Sequence, residues 1–260
     1  MRWYFLLLIS VPLLTHCASP TAEPLFADDF EAHAVNGLPA SPWVQSGAGQ
    51  VRVDTTRSHS GTQSVYFASG ETYTNRAFLG LHDAPLFPLT NNAYYASIYL
   101  WVEEASPDGI HWTMVQSSGP VPGESYASEI RYGGQHHKQL MANYETQGVS
   151  TDCWHHAQVP LPERQWVKLG WYFDGRANLM KFWLNDKLVD ELTVQNRGQG
   201  CVANDLEGEW KFPVFENVVI GWVDYQTGGG SRQLWIDDFE MYAEVSQALR
   251  QLSSFLRPCP

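Results

Sequence analysis

From Phe26 to Tyr242 the chain is built of short runs rich in Val, Ile, Tyr, Phe and Trp, most with a period of two, separated by clusters of Gly, Pro, Asn and Asp. The runs predict strands at QVRVDT, SVYFAS, YYASIYLWV, IHWTMVQS, SEIRYG, KQLMANYE, WVKLGWYFD, LMKFWLND, KLVDELTV, ENVVIGWVD and QLWIDDFEMY. No helical segments alternate with them, which favours an antiparallel sandwich over a parallel sheet. No internal repeat or Pro/Ser-rich linker divides them, so residues 18–243 are read as one all-β domain. The period changes in VSQALRQLSSFLR, where Val245, Ala248, Leu249, Leu252, Phe255 and Leu256 recur at helical spacing. That predicts a short C-terminal helix in a tail of residues 244–260, packed on the sandwich.

Alternation also assigns faces. In YYASIYLWV, Ala96, Ile98, Leu100 and Val102 share the core side, and Tyr95, Ser97, Tyr99 and Trp101 the other. Trp112 and Met114 point inward with His111 and Thr113 outward. Ile130 and Tyr132 point inward with Glu129 and Arg131 outward. Leu140 and Ala142 point inward with Gln139, Met141 and Asn143 outward. If these strands are neighbours, one outer surface carries Tyr99, Trp101, His111, Arg131, Gln139 and Asn143. Such a surface suits a sugar chain, because aromatic rings stack on pyranose faces and the polar groups between them bind hydroxyls and carboxylates. Trp154 and Trp210 are placed in loops, lining a cleft or filling satellite cores.

Composition, with 44% apolar and 17% charged residues among 260, is that of a globular protein. The opening MRWYFLLLISVPLLTHC carries one Arg and an apolar run too short for a membrane span, and reads as a signal peptide over residues 1–17. Cys17 after Leu14-Thr15-His16 resembles the bacterial lipoprotein signal, with His16 departing from its preference for a small residue. Two addresses follow: an outer-membrane lipoprotein held to the membrane by its lipid alone, or plain secretion. Export brings an oxidising compartment, so Cys153 and Cys201, both in polar, turn-rich segments, are expected to pair, leaving Cys259 in the tail. A zinc site with His155 and His156 is the weaker reading, since no second Cys or His lies at finger spacing. The net charge of −12 argues against nucleic acid as a partner but not against an anionic substrate, because local potential in a cleft matters more than the total.

Asp-Asp-Phe-Glu occurs twice, in FADDFE (26–31) and WIDDFEMY (235–242). Strict alternation puts Asp29 and Glu31 on one side of the first strand, and Asp237 beside Phe239 in the last. Facing acids repel unless a cation lies between them, and calcium takes six to eight oxygen ligands. The turn RSHSGTQS (57–64) offers hydroxyls and carbonyls. Solvated edge-strand charge is the other reading, and spacing does not separate the two.

The N-terminal DFE, the SG-x-x-S turn and the C-terminal W-I-D-D-F together resemble calcium-clasped jelly-roll carbohydrate-binding modules and polysaccharide lyases. Over nearly the whole mature chain, through HWTMVQSSG, EIRYGG, LMANYE and WYFDGRANLMKFWLND, the pattern is similar to the glucuronan lyase family and its relative secreted by cellulose-degrading fungi. The resemblance implies an antiparallel two-sheet, concanavalin-like jelly roll with a structural calcium. Carried over residue by residue, the calcium ligands are Glu31, Ser58, Gly61 through its carbonyl, and Asp237, with Asp29 and Asp238 as alternates. An anionic polysaccharide is the expected partner, and the protein is expected to be a monomer.

A lyase acting on a uronate polymer neutralises the carboxylate, removes the adjacent proton and protonates the leaving oxygen. Arg131 is assigned the carboxylate, assisted by Gln116 or Asn143. His111 is the base, and Tyr144 or Tyr225 the acid, although alternation puts Tyr144 on the core side. The run His136-His137-Lys138 adds positive potential beside Arg131. Tyr99, Trp101, Glu129, His137 and Gln139 are assigned to substrate binding. The rival reading is a carbohydrate-binding protein with the same groove and no turnover. A third, glycoside hydrolysis, needs two carboxyl groups, for which Glu103, Glu104 and Glu129 have no specific spacing.

Overall fold

The computed structural model describes residues 23–82 and 86–243. Its strands are Phe26–Asp28 (β1), Trp43–Ser46 (β2), Gln50–Asp54 (β3), Ser64–Ser69 (β4), Ala77–His82 (β5), Ala93–Val102 (β6), Trp112–Pro120 (β7), Ala127–Gln135 (β8), Gln139–Thr146 (β9), Thr151–Pro160 (β10), Val167–Asp174 (β11), Leu179–Leu184 (β12), Lys187–Leu188 (β13), Val194–Gln195 (β14), Gly200–Asn204 (β15), Asn217–Asp224 (β16) and Arg232–Tyr242 (β17). The first sheet runs β13-β12-β11-β6-β17-β4-β3, with β1 beside β17 and β14 beside β12. The second runs β15-β10-β9-β8-β7-β16-β5-β2. This is the two-sheet antiparallel jelly-roll sandwich that the alternating pattern and the resemblance anticipate.

One core lies between the sheets. Ile98, Leu100, Trp171, Phe173 and Phe239 of the first sheet meet Met114, Tyr132, Leu140, Ala142 and Trp222 of the second. Each fully buried side chain of this size contributes about 1.5–3 kcal/mol of transfer free energy. The inward set demands alternation, so any slip must be made good by a bulge. Two bulges matter. On β7 the register against β8 slips between Thr113 and Val115, sending both Met114 and Val115 into the core and leaving Thr113 and Gln116 on the outer face. On β17 the register against β6 slips between Asp237 and Glu240, with Asp238 at φ 48. Ile236 and Phe239 therefore both enter the core, which corrects the strict-alternation reading that put Asp237 beside Phe239.

Other expectations are corrected by the pairing. The segment TDCWHHAQVP is not a turn but the ten-residue strand β10, with Cys153 and Ala157 in the core. Trp154 thus lies in a strand, and Trp210 is fully buried. Strand β5 also lacks a clear alternating signal, being buried along almost its whole length. Cys153 and Cys201 form the expected disulfide, tying β10 to the edge strand β15. In FADDFE the strand ends at Asp28, and Phe30, at φ 58, drops into the core. The expected signal peptide, Cys17, the C-terminal helix and Cys259 lie outside the described residues.

Candidate functional site

The outer face of the second sheet carries a groove of about 890 Å³ crossing β7, β8, β9 and β10, with Glu216 and Tyr225 from either end of β16 beside it. Strand register orders its floor into rows. Ser118, Glu129, Glu145 and Asp152 are successive cross-strand partners. Next to them run Gln116, Arg131, Asn143 and Trp154. A row of three carboxylates on adjacent strands places like charges about 5 Å apart, an arrangement that costs stability unless a cation is shared.

Arg131 is that cation. Its side chain is only 4% exposed. Nη1 donates to Glu129 Oε1 at 2.9 Å and to the Tyr225 hydroxyl at 2.6 Å; Nε donates to Asn143 Oδ1 and Nη2 to Glu145. Gln116 Nε2 donates to the second oxygen of Glu129 at 3.0 Å. Asn143 Nδ2 donates to Asp152 Oδ1 at 2.9 Å and to the Cys153 carbonyl at 2.7 Å. Burial pushes the Glu129 carboxyl above the usual range against the opposing charge of Arg131. Burial likewise raises the Tyr225 phenol, again against Arg131. The hydroxyl is 3.1 Å from Thr113 Oγ1, which the β7 bulge keeps on this face.

The groove has distinct ends. At one, the Tyr225 N–H donates to the His111 carbonyl at 2.9 Å, setting the two residues side by side. The His111 N–H donates to Gln226 Oε1 at 2.6 Å, and its ring lies 6.1 Å from that of His136. Burial, then the charge of His136, push the His111 imidazole below its usual value, with Asp152 acting the other way. Neutral imidazole is thereby the form favoured near pH 7. At the other end stand Pro120 and Glu216. Tyr73, 49% exposed, forms a wall: its ring stacks 6.2 Å from Tyr225 and carries the Arg76 guanidinium at 4.2 Å.

The structure brings together His111, Gln116, Glu129, Arg131, Asn143 and Tyr225, and separates the other sequence-assigned residues from them. Tyr99 and Trp101 stand on the outer face of the opposite sheet, because β6 and β7, consecutive in sequence, belong to different sheets. One face of Tyr99 is covered by the His59 ring at 3.4 Å, and Trp101 packs on Arg57 at 4.3 Å. Tyr144 is fully buried, its hydroxyl donating to the Lys211 carbonyl and its ring stacked on Trp210; alternation holds there and no bulge intervenes. Gln139 opens β9 opposite Gln135, outside the groove lining. His137 sits in the β8–β9 turn, 3.3 Å from Asp108. Lys138 pairs with Glu163 at 2.5 Å, so its charge is compensated away from Arg131. Glu145, Asp152, Glu216 and Tyr73 were not anticipated. Alternation from Asn143 signals Glu145; no pattern in the sequence signals Tyr73, which a loop delivers.

Away from the groove, the two acidic stretches close on one turn. Glu31 accepts the N–H groups of Thr62 and Gln63, both at 2.8 Å, and these bonds hold its carboxyl below the usual range. Asp237, wholly buried, accepts the N–H groups of His59 at 2.7 Å and Ser60 at 3.2 Å. Burial raises its carboxyl to about 6, with Asp238 adding to the rise. Gly61 is required where it stands, at φ 54, since a Cβ would lie 2.4 Å from Glu31 Oε1. Ser58 Oγ lies 3.4 Å from the Gly61 carbonyl. Among the described residues no three His, Cys, Asp or Glu side chains gather as a metal-holding group. The oxygens fit a hard cation only if Ser58 and the Gly61 carbonyl join the carboxylates, a mixture calcium accepts.

Comparison with known proteins agrees with the architecture. A family model described as a polysaccharide lyase-like, Cip1-like core domain matches residues 36–244. No curated protein sequence matches. Among solved structures, the cellulose induced protein Cip1 is 23% identical at a TM-score of 0.63, the match covering 84% of this chain and 97% of that one. An endo-β-1,4-glucuronan lyase from the fungus Trichoderma reesei is 12% identical at a TM-score of 0.56, covering 86% and 98%.

Proposed function

Since the chain belongs to the family of Cip1-like, polysaccharide lyase-like core domains, we propose that it is a polysaccharide lyase that cleaves a uronate-bearing glycan, glucuronan being the simplest example, by β-elimination in the groove of the second sheet. The observation that carries this reading is the Tyr225 phenol, held at 2.6 Å by Arg131 beside His111. In the reaction His111, as neutral imidazole, takes the proton from C5 of the uronate. The C–H electrons become the C4=C5 double bond, the C4–O bond breaks, and the leaving oxygen takes a proton from Tyr225. Tyr225 accepts a hydrogen bond from Arg131, so its own proton is free to be donated, and its raised pKa keeps it protonated. The substrate carboxylate reaches Arg131 by replacing Glu145, which at 45% exposure is the more accessible of its two carboxylate partners. Gln116 and Asn143 hold Glu129 and Arg131 in place meanwhile.

The reading extends to a calcium ion held by Glu31, Ser58, Gly61 and Asp237 as a structural clasp, and to a monomeric protein exported to the cell envelope by its N-terminal leader. The ion would neutralise acids far from the chemistry.

One observation favours a second reading, a glycan-binding protein without turnover: four of the five Arg131 N–H groups already have protein acceptors. The test is incubation with glucuronan, alginate, pectate and a heteropolymer carrying isolated glucuronate, following ultraviolet absorbance of the unsaturated product. Product from at least one polymer is expected, and lost in Tyr225→Phe. Glycan binding with no product from any of them would leave only the binding reading.

A further inference from the structure

The groove presents more negative charge than a polyuronate would tolerate. Glu129, Glu145, Asp152 and Glu216 line it against the single guanidinium of Arg131. Of the cations nearby, Lys138 is paired with Glu163 and Lys211 with Glu124 at 2.9 Å; Arg76, held on the Tyr73 ring and carbonyl, acts on Glu129 from the groove wall, and the four acids still outnumber the two guanidinium groups. Three of the acids, Glu129, Glu145 and Asp152, are ordered in a cross-strand row at neighbouring positions, an arrangement that is itself unfavourable and is held by the single charge of Arg131 with the amides of Gln116 and Asn143. Arg131 can receive one carboxylate by exchange with Glu145. A second or third carboxylate on the adjoining sugars would meet Asp152 or Glu216, with only Arg76 at the Tyr73 wall left to receive one of them. Exposed Pro120 meanwhile offers an uncharged surface against which a neutral pyranose ring can lie.

We propose that the groove selects a heteropolymer in which single uronate residues are separated by neutral or amino sugars, and that it discriminates against homopolymers of uronate. The inference rests on the lyase reading for the identity of the reacting sugar, but its charge logic concerns binding alone. Like charges facing each other across a groove weaken association, and salt relieves that weakening.

The experiment measures binding of glucuronan and of a glucuronate-bearing heteropolymer of matched length by calorimetry, from about 20 to 200 mM salt, for the wild type, Glu216→Gln and the Glu145→Gln/Glu216→Gln double variant. Glu216 is exposed, so its replacement leaves the fold intact. The heteropolymer is expected to bind more tightly at low salt. Glucuronan binding should tighten with added salt and improve about threefold to tenfold in Glu216→Gln, while heteropolymer binding changes less than twofold there; in the double variant both polymers gain from the loss of Glu145 as a competitor for Arg131, and glucuronan gains more. Glucuronan binding at low salt as tightly as the heteropolymer, weakening with salt and unmoved by the variants, overturns the inference. Failure of the lyase reading shows separately, as absence of unsaturated product from every polymer whatever their binding order.

Discussion

The groove and the clasp are both made of carboxylates on the outside of the sandwich, and they differ in what donates to them. In the clasp the donors belong to one turn, chiefly its backbone: the N–H groups of Thr62 and Gln63, with the Thr62 hydroxyl, to Glu31, and the N–H groups of His59 and Ser60 to Asp237. Their positions are fixed by the turn and cannot be exchanged without unfolding it. In the groove the donors are side chains, with Arg131 serving Glu129 and Glu145, Gln116 serving Glu129, and Asn143 serving Asp152. Side-chain bonds at a half-exposed rim can be traded for bonds to a ligand. The same residue type therefore closes the fold in one place and presents an exchangeable surface in the other.

The largest effect is expected at the hub. Arg131→Met removes the partner of two carboxylates, one largely buried, and should destabilise the protein by about 3–5 kcal/mol, measured by denaturant unfolding. Arg131→Lys keeps the charge but not the fork; it should fold, and lose about 10²–10³-fold in turnover. Full turnover in the Lys variant would break the distinction between exchangeable and structural donors. His111→Gln should cost about 10²-fold or more and alter the pH profile. The imidazole must be neutral to act, and its pKa is lowered in the fold. Wild-type kcat/KM should hold as pH falls through the ordinary histidine value near 6.5 and drop only below it. The residual activity of the Gln variant should lack that acid limb.

Much of this arrangement was legible in the chain, and the failures have definite causes. Alternation on β8 and β9 correctly turned Glu129, Arg131 and Asn143 outward and Ile130, Tyr132, Leu140 and Ala142 inward, because a one-residue slip would have exposed the core set. It placed Tyr144 inward as well, and that residue's catalytic assignment was the part that did not hold. Alternation says which side of a strand a residue faces and nothing about which sheet the strand joins. Tyr99 and Trp101 were thus turned outward correctly and put on the wrong sheet. Bulges are equally silent: nothing in HWTMVQ announces that Met114 and Val115 both go in. The clasp was legible only once the resemblance joined the two acidic stretches to the SG-x-x-S turn, since the repeated motif alone fits solvated edge charge equally well.

At the clasp, Asp237→Asn keeps size and one acceptor oxygen but changes which N–H groups are served, and should cost about 1–3 kcal/mol with little change in turnover well below the melting temperature. If calcium sits there, a chelator should lower the wild-type midpoint, and lower that of the variant less. A drop in kcat matching that of Arg131→Lys would show that the clasp reaches the chemistry after all.

The smallest effect sharpens the comparison most. Trp101 rests on Arg57, which also covers Trp235 at 4.7 Å, and Tyr99 on His59, whose Nδ1 is hydrogen-bonded at 2.6 Å to Asp238 of the clasp. These rings pack against the structural side of the molecule, across the core from Arg131. Trp101→Ala should therefore lower stability, by about 1–2 kcal/mol through lost cation–π and packing contacts, while KM and kcat on a cleaved glycan stay within twofold. A rise in KM beyond that would mean that glycan also lies along the first sheet, and the groove would then account for only part of substrate recognition. Equal KM in both proteins, alongside a lower unfolding midpoint, would assign the aromatic residues of β6 to holding the turn on which the clasp depends.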